Sequence, residues 1–347
     1  MLKKTKAKAI LKEKVLIVLW TTSRCNLNCK YCYAAAWEKR ADMDFETAKA
    51  ALDYFADCSM KVQFAGGEPL LNVDLICRVV EYAKSNDYDV AFQMQTNGTL
   101  ITPEIATGIK KMKIAVGVSL DGPPAINEKL RGKTNAAVNG IKLLGQAGIR
   151  ANINAVVTKQ NVSELPNLVT FAFYLGNVPG IGLDLIREAG NAKSGLVEKA
   201  SPLQLTTALK GMQRKSEELF RLSGRWVKLR EIEAAKNRLK CSSCAKDYCY
   251  AACGRSFVIL PDGDVYPCGS LIDKYEYFMG NIKYGKMKVI TLAKIMSDNC
   301  RDCSYYSICP GGCPSRLIVN NIITEEQSLD CVLKKTAFDM VRQKQGN

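Results

Sequence analysis

Six short runs of β-branched and apolar residues recur along the first half of the chain and constrain its fold more than any other feature. They cover residues 15–22, 62–66, 90–98, 114–122, 151–158 and 181–188. Segments with helical periodicity separate them, at residues 45–55, 73–85, 103–111, 135–148 and 162–174. Strands and helices that alternate in this way predict a parallel sheet with right-handed crossovers.

Polar or glycine residues follow each of these runs, and their position discriminates between the two folds that share the pattern. Doubly wound sheets and barrels both build their active sites at the C-terminal ends of parallel strands. The residues at these ends are Cys25, Gly66, Gly67, Glu68, Asn97, Ser119, Asp121, Lys159 and Arg187. Because all six strand ends contribute, we expect an α/β fold built as a closed or partly closed barrel.

The chain of 347 residues exceeds the usual size of one compact core, and its composition changes near residue 240. We expect the barrel in residues 1–195 and a helical connector packed on it in residues 196–240. Ten of the fifteen cysteines lie from Cys241 to Cys331. Residues 241–347 are therefore expected to form a small metal-organised domain, since the segment is short for an apolar core of its own.

Fifteen cysteines together with no histidine narrow the chemistry. No run approaches the roughly eighteen apolar residues of a membrane span, and no signal peptide is recognised, so we expect a cytoplasmic protein without membrane contact. In that reducing compartment, metal ligation is a better interpretation of the cysteines than disulfides. Without histidine, a general base has to be Asp, Glu, Tyr, Lys or Cys.

The formal net charge of +15 is compatible with a nucleic-acid partner. The excess lysines, however, are dispersed and do not cluster with aromatic residues, which is more typical of a solvated surface. We therefore expect no nucleic acid as a partner.

Three cysteines, Cys25, Cys29 and Cys32, follow the first run with the spacing C-x3-C-x2-C. In a helix this spacing would place three cysteines on one face, so a role in the core is one interpretation. The polar loop around them suits ligands of a metal centre better. Structural zinc sites and ordinary iron-sulfur clusters take four protein ligands, so three ligands indicate a centre with one position open.

This spacing, with the aromatic Tyr31 before the third cysteine, resembles the signature of the radical SAM superfamily. The resemblance implies that the α/β fold is a partial (β/α)6 barrel. It also implies that the three thiolates hold a [4Fe-4S] cluster whose fourth iron binds S-adenosylmethionine (SAM). One electron passed to the sulfonium then yields methionine and a 5′-deoxyadenosyl radical, which abstracts hydrogen from unactivated carbon. It also implies an electron donor such as flavodoxin or ferredoxin as a partner.

By the same resemblance, Gly66, Gly67 and Glu68 match the family's GGE motif. The glycines would let the backbone approach the methionine part of SAM, and Glu68 would pair with its ammonium. Three further residues are candidate contacts to the ribose or carboxylate: Ser119, Arg131 and Asn97. For these three, strand-end capping or turn formation is nearly as good an interpretation.

The C-terminal cysteines resemble a SPASM domain, the twin-cluster extension of radical SAM enzymes. Their pattern is C-x9-G-x4-C from Cys253, then C-x2-C-x5-C-x3-C from Cys300, and finally Cys331. A zinc site is the alternative for one C-x2-C, but it does not explain the other spacings. The resemblance implies two auxiliary [4Fe-4S] clusters, three clusters in all. One takes Cys253, Cys268, Cys313 and an upstream cysteine; the other takes Cys300, Cys303, Cys309 and Cys331.

The upstream ligand is open among Cys241, Cys244 and Cys249, and we favour Cys249 because it is nearest in position and spacing. Cys58 and Cys77 lie on apolar faces of helical segments and are expected to be core residues. Four other residues fall near the expected site, with packing or surface roles as the better interpretation: Tyr248, Tyr250, Asp184 and Arg187.

The sequence differs in two ways from the enzymes that this architecture resembles, and both differences bear on the substrate. Sulfatase maturases, which this architecture resembles, carry an aspartate base directly after the cysteine that matches Cys268, whereas this chain has Gly269. The difference argues against sulfatase maturation. About fourteen residues precede the first predicted strand, so a peptide leader would have to bind the barrel, the connector or a separate leader-binding protein.

The leading interpretation is an enzyme that modifies a peptide or protein, by an oxidative cross-link such as a thioether or by epimerisation. The alternative is a maturase of a small-molecule cofactor, acting on a tetrapyrrole or quinone precursor. An RNA-modifying enzyme would use the basic charge, and a non-catalytic electron carrier would need neither Glu68 nor an open cysteine triad. The sequence identifies no catalytic acid or base.

Overall fold

The computed structural model describes residues 14–36, 41–240, 247–294, 300–322 and 328–344. Its strands are β1 (Val15–Thr22), β2 (Met60–Gly66), β3 (Val90–Thr96), β4 (Ala115–Ser119), β5 (Ala151–Val157), β6 (Gly180–Leu185), β7 (Lys228–Leu229), β8 (Ser256–Ile259), β9 (Asp264–Tyr266), β10 (Gly280–Asn281) and β11 (Lys286–Met287). Its helices are α1 (Phe45–Tyr54), α2 (Val73–Ser85), α3 (Pro103–Lys111), α4 (Pro124–Leu130), α5 (Thr134–Gln146), α6 (Leu165–Leu175), α7 (Pro202–Ser223), α8 (Arg230–Lys240), α9 (Pro314–Val319) and α10 (Leu329–Gln343).

Strands β1 to β6 lie side by side in chain order, and each pairs in parallel with the next. Short strand β7 continues the sheet beyond β6, and β8 pairs in parallel with β1 at the other end. Inward side chains from all six main strands line one cavity, so the sheet wraps around it. Among the described residues the end strands β7 and β11 do not pair with each other, and the predicted partial (β/α)6 barrel is confirmed.

Four of the six strands, β3 to β6, end earlier than the apolar runs that predicted them. The third run reaches residue 98 and the sixth reaches 188, but β3 ends at Thr96 and β6 ends at Leu185. The residues beyond these ends hydrogen-bond to side chains of the site, as Asn97 does through its backbone N–H to Glu68. The Asn97 N–H therefore bonds to a side chain of the site and not to a neighbouring strand.

The two faces of the barrel sheet differ in chemistry. The outer face is apolar, and Ile17, Val62 and Phe64 are fully buried under the surrounding helices. The inner face carries Gln63 and Asn154, which line the cavity. Closed (β/α)8 barrels fill their interior with branched apolar side chains, so this polar interior is suited to binding and not to packing.

The cysteine-rich segment, which the structure describes from residue 247 on, continues the barrel sheet. Strand β8 pairs with β1, and β9, β10 and β11 follow as an antiparallel meander. Helix α10 packs on α7 and α8, which cover the open side of the barrel beyond β6. The boundaries at residues 195 and 240 stay predictions.

Three smaller expectations can be compared with the structure. Cys58 is buried in the turn after α1, as expected of a core residue. Cys77 lies on α2 but is only half-buried, so its assignment to the core was wrong. Within the described ranges, no helix is both long enough and apolar enough to cross a membrane.

Candidate active site and cysteine centres

A cavity of about 660 Å³ opens at the C-terminal ends of the parallel strands. Eight residues predicted on the barrel as cluster ligands or SAM contacts line it: Cys25, Cys29, Cys32, Gly66, Gly67, Asn97, Ser119 and Arg131. Its wall also includes Cys313, Arg316 and Lys334, so the cavity lies between the barrel and the cysteine-rich segment. Glu68 is the predicted SAM contact that does not line the cavity.

Residues 25–32 form the cysteine loop. Its three cysteines have the donor chemistry of a cluster site. Burial is the main reason that the pKa of Cys29 is raised to about 11, against the charge of Arg131, and the neighbouring Cys32 and Cys25 thiols add to it. Such a thiol stays protonated at neutral pH unless a bound metal ionises it. The three thiols line the same cavity within eight residues of the chain, and three such donors fit an iron-sulfur cluster.

Within the described ranges, no three His, Cys, Asp or Glu side chains converge as the ligands of one metal ion would. A cluster places its thiolates on separate irons, so this finding bears on single-ion sites such as zinc and leaves the cluster assignment standing.

Tyr31 anchors the cysteine loop to the end of β4. Its hydroxyl donates to the Asp121 carboxylate and accepts from the Arg131 guanidinium. Arg131 Nη1 also lies 3.6 Å from Asp121 Oδ2, and both side chains are buried. The predicted SAM contact Arg131 thus has partners inside the protein, although it also lines the cavity. Its contact to SAM stays a prediction.

Asn97 holds the loop from the end of β3. Its Nδ2 donates to Asn26 Oδ1 over 2.9 Å and lies 4.0 Å from Cys25 Sγ. Its Oδ1 accepts from the backbone N–H and the hydroxyl of Thr99. The carboxamide is therefore engaged in positioning Asn26 and Cys25, which favours the turn-forming interpretation of Asn97.

Glu68 is 1 % exposed, and its carboxylate has three donors from the protein. They are Thr96 Oγ1 at 2.5 Å, the Asn97 N–H at 2.7 Å and the Leu70 N–H at 3.2 Å. Burial raises the pKa of Glu68, and these hydrogen bonds oppose the shift. The carboxylate organises the ends of β2 and β3, and its pairing with the SAM ammonium stays a prediction.

The two glycines of the motif are required by the backbone beside them. A Cβ at Gly66, where φ is +133°, would lie 2.3 Å from the Thr22 carbonyl oxygen. A Cβ at Gly67 would lie 2.1 Å from the Arg24 carbonyl oxygen. Their small size thus lets β2 pass closely under the start of the cysteine loop, which differs from the predicted role of approaching SAM.

A row of carboxamides crosses the barrel interior, and it was missed in the sequence. Gln93 Nε2 donates to Gln63 Oε1 on β2 over 2.5 Å, and Gln95 Nε2 donates to the predicted site residue Ser119 over 2.9 Å. Asn154 on β5 donates to Gln95 Oε1. The only signal in the sequence is that Gln and Asn occupy alternate positions of predicted strands.

Gly117 makes room for this row. A Cβ at Gly117 would lie 2.5 Å from Gln95 Oε1 and 2.8 Å from Asn154 Nδ2. Any larger residue at this position of β4 would separate the two carboxamides.

An ion-pair network joins β6 to the cysteine-rich segment. Arg316 on α9 donates to Asp184 over 2.5 Å, to the Leu185 carbonyl over 3.0 Å and to both oxygens of Asp330 over 2.7 and 2.9 Å. Arg187 pairs with Asp184 over 2.6 Å. Asp184 and Arg187 line the cavity as members of this network, which is compatible with the packing role preferred for them, and Arg316 and Asp330 were missed in the sequence.

The cysteines of the second auxiliary set lie near one another. Burial raises the pKa of Cys331, and the neighbouring Cys300, Cys309 and Cys303 thiols raise it further. This grouping is compatible with the predicted ligand set, which stays a prediction.

The first auxiliary set is grouped in the same way. Burial raises the pKa of Cys249 to about 11, and Cys313 and Cys268 contribute to the shift. Cys268 and Cys313 each place Sγ within 3.4 Å of Ser315 Oγ, and Cys253 Sγ contacts the Cys249 carbonyl. Cys241 and Cys244 lie outside the described residues, so the preference for Cys249 stays a prediction.

Comparison with known proteins identifies the architecture. The family model of the radical SAM superfamily matches residues 21–172, and that of the SPASM iron-sulfur cluster-binding domain matches residues 249–314. An uncharacterised protein of Methanocaldococcus jannaschii is 34% identical over 295 residues, which cover 82% of this chain and 93% of that protein. The chain belongs to the radical SAM superfamily. It is a radical SAM enzyme with a SPASM domain, and it binds iron-sulfur clusters and SAM.

Relatives of this radical SAM enzyme carry different names. The Fe-coproporphyrin III synthase of Methanosarcina barkeri is 37% identical over 163 residues, 45% of this chain and 40% of that protein. The cysteine-type anaerobic sulfatase-maturating enzyme of Clostridium novyi is 26% identical over 342 residues, 87% of this chain and 88% of that protein.

Solved structures share the whole fold. Native anSMEcpe with bound AdoMet and Cp18Cys peptide superposes with a TM-score of 0.78 at 23% identity, over 96% of this chain and 98% of that one. Streptococcus suis SuiB bound to precursor peptide SuiA has a TM-score of 0.67 at 20% identity, over 94% of this chain and 76% of that one. At such identities the likeness shows the fold alone.

Proposed function

We propose that this radical SAM enzyme modifies a peptide or protein, by an oxidative cross-link such as a thioether or by epimerisation. The observation that carries the proposal is the row of carboxamides that faces the cavity. Gln63, Gln95 and Asn154 line it together with Ser119. A carboxamide offers one acceptor and two donors and thus matches the N–H and C=O groups of a peptide chain.

The cavity has the size and wall chemistry that a peptide segment needs. At about 660 Å³ it lies within the range of ligand pockets, roughly 300 to 1,000 Å³. One side of it is formed by the cysteine loop and the other by the cysteine-rich segment. A side chain held between them would lie beside the SAM site and beside Cys313 of the first auxiliary set.

The surroundings of Gly269 argue against one kind of peptide chemistry. A Cβ at Gly269 would lie 2.8 Å from Cζ3 of Trp20, so the ring fills the space that an aspartate side chain would need. The enzyme therefore has no carboxylate base at this position, and sulfatase maturation is not proposed. Solved relatives that carry a peptide, anSMEcpe and SuiB, support a peptide substrate more generally.

Three clusters and several partners belong to the same proposal. The Cys25, Cys29 and Cys32 triad would hold the SAM-binding cluster, which supplies the electron for reductive cleavage of SAM. The auxiliary sets would hold two more, placed to bind the substrate or remove an electron from the product. A flavodoxin or ferredoxin would deliver the first electron, and a separate protein would bind a substrate leader.

Maturation of a tetrapyrrole is the second candidate. Arg187, Arg230 and Arg238 line the cavity and could pair with propionate groups, and one relative is named Fe-coproporphyrin III synthase. Carboxylates offset much of this charge, because Asp184 pairs with Arg187 and Glu231 pairs with Arg230. The carboxamide row favours the peptide.

Mass spectrometry can distinguish the two candidates. Reconstituted, reduced enzyme is incubated anaerobically with SAM and either a small peptide encoded beside the gene or iron coproporphyrin III. Loss of two hydrogens from the peptide indicates a cross-link, and deuterium uptake from heavy water without other mass change indicates epimerisation. Modification of the porphyrin with the peptide unchanged would overturn the proposal.

The cluster assignment has its own test. Changing Cys25, Cys29 and Cys32 together to Ala should abolish 5′-deoxyadenosine formation and leave the auxiliary iron bound. The intact enzyme should hold about twelve irons, four for each of three clusters. Continued 5′-deoxyadenosine formation in the triple variant, or four irons or fewer in the intact enzyme, would contradict the assignment.

A further inference from the structure

Asn191 makes more hydrogen bonds to the cysteine loop than any residue chosen from the sequence. It lies in the short 3-10 helix Gly190–Ser194 after β6. Its Nδ2 donates to the Cys29 carbonyl over 2.9 Å and to Asn28 Oδ1 over 2.8 Å. Its backbone N–H donates to the Cys32 carbonyl over 3.0 Å.

These bonds hold the main chain at two of the three cysteines. The Cys29 carbonyl also accepts from the Cys32 N–H over 3.1 Å, so the bonds of Asn191 close a small network around both residues. Ala192, next in the chain, packs in the same apolar cluster as Cys29 and Tyr31. The segment after β6 therefore covers this half of the cysteine loop.

The remaining cysteine is held by other residues. Cys25 lies beside Asn26, which bonds to Asn97 over 2.9 Å and to Thr99 over 2.8 Å. Removing the side chain of Asn191 would therefore take away one of the two hydrogen bonds to the Cys29 carbonyl and leave the position of Cys25 supported. The main chain would then be held less firmly at Cys29 than at Cys25.

We propose that Asn191 is a positioning residue for the reductive cleavage of SAM: it fixes the main chain at Cys29 and Cys32 so that the bound cluster turns its open iron toward the cavity. The proposal rests on the ligation of that cluster by Cys25, Cys29 and Cys32. Groups that orient metal ligands without touching the metal commonly change affinity or activity by about 10- to 100-fold when removed.

The carboxamide is needed as a donor. Both N–H groups of Nδ2 point at oxygens, those of Cys29 and Asn28. Asn191→Asp keeps the size but places a carboxylate oxygen against both acceptors, so it should disturb the loop more than Asn191→Ala does. The backbone bond to Cys32 persists in either variant, which confines the change to the side chain.

The test compares N191A and N191D with a matched control, Asn167→Ala. Asn167 is exposed on α6, and its Nδ2 donates to Glu164 over 2.8 Å. Reconstituted proteins are reduced with dithionite, and electron paramagnetic resonance spectra are recorded with and without SAM. SAM affinity, iron content and thermal midpoint are measured on the same samples.

We expect N191A to keep its auxiliary iron and thermal midpoint while the SAM-induced spectral change weakens and SAM affinity falls about tenfold. N191D should lose more, and N167A should match the unaltered enzyme. A normal spectrum and normal SAM affinity in N191A would overturn the proposal.

Asn28→Ala decides the matter if N191A fails to fold, because N28A removes one partner of Asn191 and leaves the Cys29 bond. A smaller change of the same kind, about threefold in SAM affinity, is expected, and no change overturns the proposal. Failure of the cysteine triad is a separate result, since it would appear as SAM cleavage by the triple Ala variant.

Discussion

The barrel buries a continuous apolar layer. Among the described residues of 247–331, in contrast, few buried apolar side chains form a cluster of their own. On the barrel side, Phe55, Phe64 and Ile76 are fully buried in one large cluster with the helices. The compact apolar cluster of the cysteine-rich segment is centred on Ala251, Leu271 and Leu292. Its other apolar residues pack against the barrel, as Val258 does beside Val18 and Trp20.

The difference shows that the two regions are held by different interactions. The barrel has enough buried area to fold by the hydrophobic effect, at about 25 cal/mol per Å² of apolar surface. The cysteine-rich segment has strands of two to four residues. It depends on pairing with β1, on Arg316 and on whatever its cysteines bind.

Iron removal should therefore have the largest effect and should be confined to one region. Metal binding contributes on the order of 10 kcal/mol to small metal-organised domains. Without iron, residues 247–331 should become sensitive to protease and exchange amide hydrogens rapidly, while residues 14–240 stay protected. Limited proteolysis and hydrogen-exchange mass spectrometry of iron-loaded and iron-free protein provide the comparison. Equal protection of both regions without iron would show that the comparison is wrong.

Arg316→Met should have the next largest effect, because it removes the arginine that joins the two regions. Arg316 is 3 % exposed, and its removal leaves the carboxylates of Asp184 and Asp330 without their shared cation. Breaking a buried ion pair on one side costs about 3 to 5 kcal/mol. Urea unfolding of the iron-loaded protein, followed by cluster absorbance, should show this loss.

Two further variants test the cause of that loss. Adding D330N to R316M should recover part of the stability, because the buried Asp330 carboxylate that lost Arg316 is then neutral, whereas Asp184 keeps its ion pair with Arg187. Arg225→Met is the matched control, since Arg225 is half-buried and donates to the carbonyls of Gly176 and Phe173. A loss in R225M as large as in R316M would argue against a special role of the network.

The barrel was predictable from the sequence because its signals are local. An apolar strand followed by a polar end residue repeats six times, and β1 has the predicted bounds of residues 15–22. The cysteine loop was predictable for the same reason, since C-x3-C-x2-C lies within eight residues. Hydrophobic periodicity and short spacings are properties of neighbouring residues.

The contacts that position the site were not predictable in this way. Tyr31 meets Asp121 across 90 residues, Arg316 meets Asp184 across 132, and Asn191 meets Cys29 across 162. None of these residues stands in a spacing that marks its partner. Glu68 differs from these residues, because a sequence motif did locate it. The motif gave no indication, however, that its carboxylate is buried among hydrogen-bond donors at the ends of β2 and β3.

Gly269→Ala should have a moderate effect where the two regions meet. The added methyl group would lie 2.8 Å from the Trp20 ring and 3.5 Å from the Tyr33 hydroxyl. Overpacking of this kind costs about 1 to 3 kcal/mol. Urea unfolding should show the loss, with Gly108→Ala as the control. Gly108 lies in helix α3 with only Met112 nearby, at 3.8 Å, so alanine there should stabilise by about 0.5 to 1 kcal/mol. Equal stability of G269A and the unaltered enzyme would mean that Trp20 moves aside freely.

The smallest effect is expected on the outer surface of the barrel, at Asp53. Partial burial raises the pKa of Asp53, but hydrogen bonds from Lys49, Tyr82 and Tyr88 outweigh it and hold the pKa below its usual value. Because the folded pKa is the lower one, the stabilisation is present above about pH 4 and is lost as the pH falls through the folded pKa. The side chains of Asp53 and Lys49 are 36% and 37% exposed, so Asp53→Asn should cost no more than about 1 kcal/mol at pH 7.

Iron-free protein is the right material for this measurement, because its remaining unfolding transition belongs to the barrel. Urea midpoints of D53N and the unaltered chain should differ at pH 7 and converge as the pH falls below 4. A difference that stays constant with pH would mean that the substitution acts through packing and not through the charge. A difference far above 1 kcal/mol would mean that surface ion pairs, and not the apolar layer alone, hold the barrel together.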